Sequence, residues 1–261
     1  TDFSAVAVNS AMLLSNSSWV RYIPDGLNGE NVNIDFHAWD GTTGTASIDG
    51  TPSTADPAGG GGTTAYSSGI ATANLTITSQ NDAPTINSSA GYGVNEDDNY
   101  RILSSISIDD VDAGSADVQV TMDVANGVLR IGNPAGLTSI TGNDSASVVM
   151  VGSVANINGA LATLAYKPNP YFAGNDNPLI SVNDLGNTGV GGSQIANKSV
   201  SLTVTPFNDP GTVTIDNITP TQGDTLTASV SDPDGATGGI SYQWYRDGVA
   251  VGGATSSTYT T

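Results

Sequence analysis

The residues best equipped for chemistry in this chain are aspartates, and they recur in a pattern. Asp110-Val111-Asp112 and Asp232-Pro233-Asp234 each place two carboxylates one residue apart. In an extended loop alternate side chains point the same way, so both carboxylates of such a pair reach one ion. Held that close with no cation, they repel each other. A lone Asp-Gly marks a turn more often than a site, because aspartate caps its own backbone, and Asp25-Gly26, Asp49-Gly50 and Asp247-Gly248 are read that way. The two spaced pairs differ because each follows an Asn-Asp dipeptide, Asn81-Asp82 for the first and Asn208-Asp209 for the second. Of the 25 acidic residues only Glu30 and Glu96 are glutamate, so aspartate dominates. A short, rigid oxygen donor used this often points to a hard cation that takes several oxygens, namely Ca²⁺.

Other chemistries find no footing. The absence of cysteine excludes thiolate zinc sites, iron–sulfur clusters, disulfide scaffolds and thiol catalysis. His37 is the single histidine, too few for a zinc site, and it reads as a surface or edge residue facing away from Phe36 and Ala38. Serine is abundant, but no nucleophile-elbow sequence accompanies it, and no apolar surround is legible around any carboxylate pair. The glycine run 59–62 lacks the following lysine of a phosphate-binding loop. No enzyme is expected. Asp176, between Asn175 and Asn177, stays open between a cation ligand and a solvated loop residue. A net charge of −19 with 6 basic residues disfavours nucleic acid and anionic membrane surfaces. No apolar run approaches the roughly 18 residues of a membrane-spanning helix, so no membrane insertion is expected.

The elements that must position these aspartates are strands. Thr, Val, Ile and Ser dominate, and Gly, Asn, Asp and Pro punctuate them at short intervals, an all-β signature. Strands are expected over 32–39, 118–124, 128–131, 147–151, 179–182, 200–204 and 226–230. In the first of these Val32, Ile34, Phe36 and Ala38 share the inward face. A short helical turn fits within 154–164, and 41–69 is too rich in Gly, Thr and Pro to pack, so it is expected to be a long mobile loop. The chain also repeats itself. Tyr22-Ile23-Pro24 matches Tyr166-Lys167-Pro168, and Asp40 matches Asp184, at one offset of 144; Leu75–Thr78 matches 202–205, and Asn81-Asp82 matches Asn208-Asp209, at 127. The two offsets differ by the 17 residues that lengthen the 41–69 loop. The expected organisation is therefore 1–83, the C-terminal part of one module; 84–208, a complete module; and 209–261, the N-terminal part of a third, with Trp244 as its core tryptophan.

The stretches Val94-Asn95-Glu96-Asp97, 106–114 (ISIDDVDAG), 181–186 (SVNDLG) and Phe207-Asn208-Asp209-Pro210 resemble cadherin-like repeats of large bacterial surface adhesins of the RTX type. Residues 19–45 and the closing Asn81-Asp82-Ala83-Pro84 resemble the same repeat, whereas 219–223, 231–235 and 242–246 resemble bacterial Ig-like repeats. The resemblance implies an extended array of tandem β-sandwich modules with Ca²⁺ at the linkers. It implies Asn81, Asp82, Asp110, Asp112 and Asp184 as ligands at the first linker. At the second it implies Glu96, Asp97, Asn208, Asp209, Asp232 and Asp234. The implied role is a Ca²⁺-rigidified extender of a secreted or cell-surface bacterial adhesin, whose partners are neighbouring repeats of the same polypeptide. Two alternatives stay open: a subunit of an extracellular fibre completed by strand exchange, and a peptide- or glycan-binding module using Trp19, Trp39 and the 41–69 loop.

Overall fold

The computed structural model describes residues 7, 9–89, 91–235 and 238–261. It is nearly all β, with Val154–Leu161 as the one α-helix among the described residues. The chain divides into two compact units: Thr1–Pro84 with Asp110–Gly114 and Asp184–Gln194, and Thr85–Asp109 with Ser115–Asn183 and Ile195–Thr261.

The second unit owes its core to period-two strands. Asp117–Asp123 and Ser147–Ser153 alternate buried and half-buried residues, so Val118, Val120, Met122, Val148 and Met150 all face inward and are fully buried. They belong to a five-stranded antiparallel sheet ordered Ser139–Thr141, Ser147–Ser153, Asp117–Asp123, Leu179–Asn183, Ile195–Ser199. A three-stranded sheet of Gly127–Ile131, Leu164–Pro168 and Arg101–Ile102 contributes Leu129, Ile131, Leu164 and Tyr166 to the interior. Full burial of each such side chain stabilises by about 1.5–3 kcal/mol, which makes this the best-supported part of the molecule. Ser153 caps the helix by accepting from the Asn156 N–H, and Ile157, Ala160 and Leu161 form its buried face. Asn158 fastens it to the strand Ser107–Asp109, accepting from Ile108 N–H at 2.8 Å and donating to Ile108 O at 2.9 Å.

Further along this unit, Thr212–Ile215 pairs with Thr225–Ser231, which pairs with Thr258–Thr260. The Asp247-Gly248 turn closes a hairpin of Tyr245–Arg246 and Val249–Ala250, with φ of 49° and 79° at its two residues, the positive pair a tight two-residue turn needs. Within the 242–246 stretch the strand is confined to Tyr245–Arg246. Trp244 is only half-buried; it stacks on Tyr259 at 5.5 Å and donates its indole N–H to Ser256 O.

The first unit is built around one long hairpin, Glu30–Trp39 against Tyr66–Ile77. Its expected inward face holds for Val32 and Ile34 and then fails: Phe36 is 54% exposed and Ala38 is exposed. The alternation slips by one at Asp35 and Phe36, both exposed, so His37 lies on the covered side, where Nδ1 lies 2.9 Å from Ser67 O, and a register shift follows between His37 and Trp39. The 41–69 segment is not a free loop. Thr54–Ala55 pairs with Ala11–Met12, Ser47 N–H donates to Leu13 O at 2.8 Å, Leu13 N–H donates to Ser53 O at 2.9 Å, and Tyr66 already belongs to the long strand. Small side chains pack poorly, but their backbone groups still require partners, and that requirement orders the segment. The Tyr22 hydroxyl donates to Glu30 and the Tyr166 hydroxyl to Asp176.

Candidate metal centres

Strand pairing explains why each Asp-x-Asp loop returns to an Asn-Asp linker. Thr85, just after the first linker, pairs with Asp109, just before Asp110. Thr212, just after the second linker, pairs with Ser231, just before Asp232. Two antiparallel pairings of the same kind thus bring linker and loop together twice.

The hydrogen bonds repeat with them. In the first centre, within the first unit, Asp82 N–H donates to Asp112 Oδ2 at 2.5 Å, and Asp112 N–H donates to Asp110 Oδ1 at 2.9 Å. In the second centre, within the second unit, Asp209 N–H donates to Asp234 Oδ2 at 2.5 Å, and Asp234 N–H donates to Asp232 Oδ1 at 3.1 Å. Backbone amides therefore aim four of the expected carboxylates, leaving further oxygens available for a cation.

The two centres are completed differently. In the first, Asn81 is 2% exposed and Asp184 1%. Asn81 Nδ2 donates to Asp184 Oδ2 at 2.6 Å and to Gly192 O at 2.8 Å, while Asp184 Oδ1 accepts from the N–H groups of Gly186 and Gln194, both at 2.8 Å. The Gln194 side-chain amide donates to Asn81 O, and Asn81 N–H donates to Val190 O at 3.0 Å. Gly189 makes this approach feasible: its φ is 108°, and a Cβ there would lie 2.7 Å from Asn81 N. In the second centre, Tyr92–Asn95 pairs in parallel with Leu202–Thr205, so Glu96 enters beside the linker. Its N–H donates to Thr205 O at 2.9 Å and its Oε2 accepts from Phe207 N–H at 3.2 Å. Carboxylate oxygens of Glu96, Asp209 and Asp234 lie within 4.8 Å of one another; among the described residues no other three acids, nor any set with His37, come so close. Asn208, the counterpart of Asn81, is exposed and donates only to Asp209 O, at 3.4 Å. Asp82 and Asp97 are exposed.

The electrostatics divide single carboxylates rather than the two centres. Burial pushes the Asp209 carboxyl above its ordinary value, and the charges of Asp97, Asp234, Glu96 and Asp232 push it further. In the first centre burial likewise raises Asp110, the N–H groups of Asp112 and Ala113 oppose it, and the charges of Asp184 and Asp112 add to it. For Asp184 burial acts in the same direction, but hydrogen bonds from Gly186, Gln194 and Asn81 outweigh it and hold the carboxyl below its ordinary value.

Three oxygens at these centres, Asn81 Oδ1, Asp112 Oδ1 and Asp209 Oδ2, are buried and accept no hydrogen bond. Folded proteins leave few buried polar atoms in that state. A hard cation satisfies such oxygens and offsets the clustered negative charge, so the donor set fits Ca²⁺.

Asp176 has a different role from the one its composition suggested. It is 3% exposed and accepts from Tyr166 Oη at 2.8 Å, Ala125 N–H at 2.9 Å and Asn126 N–H at 2.8 Å, a structural carboxylate in the interior. Trp19 and Trp39 line separate hollows, the first with Met12, Leu14 and Ile48, the second with Tyr66 and Gly61, and so form no common platform. Sequence reasoning missed Gln194 and Gly189; the signal was the glycine-rich run after Asp184, able to bring backbone close to the linker. No protein-family model, curated protein or solved structure matches the chain.

Proposed function

We propose that this chain is a Ca²⁺-rigidified extender segment of a secreted or cell-surface bacterial adhesin, composed of tandem cadherin-like and Ig-like β-sandwich modules. The observation that carries this reading is the recurrence of one hydrogen-bonding arrangement at both Asn-Asp linkers, each with a buried oxygen that accepts no hydrogen bond. Bound there, Ca²⁺ would supply positive charge and six to eight coordination positions, tying linker carboxylates to the loops that follow the paired strands. The protein's own contribution is to aim those carboxylates through backbone amides and keep the linkers short. Extracellular Ca²⁺ modules bind in the range of about 10⁻⁴–10⁻³ M, which suits external calcium. Small-angle scattering of the chain in calcium and in chelator tests the idea: a longer, stiffer particle in calcium is expected, and identical profiles would sink it.

One observation favours a second reading, a fibre subunit completed by strand exchange. The hairpin Glu30–Trp39/Tyr66–Ile77 is a two-stranded sheet that leaves Phe36, Ile70 and Leu75 exposed, a surface open to strand addition. Filaments in electron micrographs of purified protein support it, and a monomeric sample at high concentration counts against it.

A further inference from the structure

The first centre contains a buried carboxylate whose role differs from that of its neighbours. Both oxygens of Asp184 already accept hydrogen bonds: Oδ1 from Gly186 and Gln194 N–H, Oδ2 from Asn81 Nδ2 at 2.6 Å. Asn81 is held by its Nδ2 on two acceptors, Asp184 Oδ2 and Gly192 O, while its own Oδ1 is buried and accepts nothing. An amide has one oxygen and one nitrogen, so fixing the nitrogen fixes where the oxygen points. Asn81 is followed directly by Asp82, whose N–H is bonded to Asp112, another buried residue with an oxygen that accepts no bond. Asp184 thus points at a side-chain amide, that of Asn81.

We infer that Asp184 is a positioning residue of the first cation centre rather than a ligand: it holds the Asn81 amide so that Asn81 Oδ1 is presented as a neutral oxygen ligand. This rests on the Ca²⁺ reading above and changes its ligand set, assigning Asn81, Asp110 and Asp112 to the ion and Asp184 to the layer behind them. Such supporting contacts typically govern about 10–100-fold in metal affinity.

The test uses the full chain carrying Asp209→Ala and Asp234→Ala, so that bound Tb³⁺ reports the first centre. Affinity is measured by direct-excitation luminescence, and bound waters are counted from lifetimes in H₂O and D₂O. Asn81→Ala and Asp184→Ala should each weaken binding about tenfold or more and admit about one extra water. The double variant should be no worse than Asn81→Ala, because Asp184 acts through Asn81. Losses that multiply, with about two extra waters in the double variant, would show Asp184 to be a direct ligand and overturn the inference alone. Asp184→Asn guards against misfolding: the amide introduced at position 184 would donate to Asn81 Oδ1 and remove it from the ion, so binding falls although the volume is kept. Unchanged Tb³⁺ affinity in that variant also overturns the inference. If the parent chain gives no Tb³⁺ emission, the Ca²⁺ reading itself fails.

Discussion

The two candidate cation centres share their backbone logic and differ in how they are finished. In both, the linker Asp amide holds the second carboxylate of an Asp-x-Asp loop, and that residue's amide holds the first. The first centre is then closed by hydrogen-bonded groups: Asn81, Gln194 and Asp184, both of whose oxygens accept hydrogen bonds. The second is closed by charge, with Glu96, Asp209 and Asp234 in one cluster and Asp97 and Asp232 acting on it. The same short motif is therefore finished by hydrogen-bonded partners at one place and by clustered charge at the other.

Asp176 sets a baseline for that comparison, since it is a buried carboxylate whose three donors leave no place for an ion. Asp176→Ala strands two backbone amides and the Tyr166 hydroxyl, and should cost roughly 4 kcal/mol. The loss in midpoint by chemical denaturation should be the same in calcium and in chelator. A calcium-dependent loss would mean that the interior of the second unit is coupled to a metal after all.

Chelation should separate the two centres. With free calcium about a hundredfold above the dissociation constant, bound ion protects a linker about a hundredfold. Hydrogen exchange followed by mass spectrometry should rise by about that factor around Asp209 and Asp232–Asp234 when calcium is removed. Around Asn81 and Gln194 the rise should be well below it, since the hydrogen bonds there persist. Equal rises would erase the distinction. A smaller effect of opposite sign follows from neutralising one carboxylate. In chelator, Asp234→Asn relieves repulsion and should raise the melting temperature by about 2 °C, whereas in calcium it removes a ligand and lowers it. Asp184→Asn should lower it in both.

Much of this was legible in the chain. The all-β class, the strands 118–124 and 147–151, the helix within 154–164 and the Asp247-Gly248 hairpin follow from local periodicity and turn chemistry, which act over a few residues. The face of Phe36 was not legible, because the alternation slips at Asp35 and Phe36 while the residue types go on alternating through Ala38. Order within 41–69 was hidden because it is held by backbone bonds to Leu13 and Met12, which carry no side-chain pattern. At the centres, aspartate spacing located the carboxylates, but which of them are already satisfied depends on partners 103 residues away in sequence, as for Asn81 and Asp184. Asp176 shows the same blindness: a carboxylate between two asparagines looks solvated until Tyr166 and the 125–126 backbone close over it.

The finest separation of the two centres is in their response to acid without calcium. Asp209 titrates above the ordinary 3.8, so its ionised form is a cost to the folded chain. The folded state then binds more protons than the unfolded one just above 3.8, and stability rises as pH falls through the raised value. Asp110 adds to this same window. Asp184 lies below 3.8, so its contribution is present above that value and is lost as pH falls through the lowered one. Acidifying the metal-free protein should thus first tighten the second linker together with the Asp110 side of the first, and only later loosen the Asp184 side. The amide signals of Gly211 and Gly189 report the two places, Gly211 beside Asp232 and Gly189 against Asn81. In a titration from about pH 6 to 3, the Gly211 signal should sharpen before the Gly189 signal broadens. Calcium should abolish the first step, because a bound cation keeps the clustered carboxylates ionised. If both signals moved together in chelator, the second centre would owe its order to hydrogen bonds as the first does, and the contrast between them would fall.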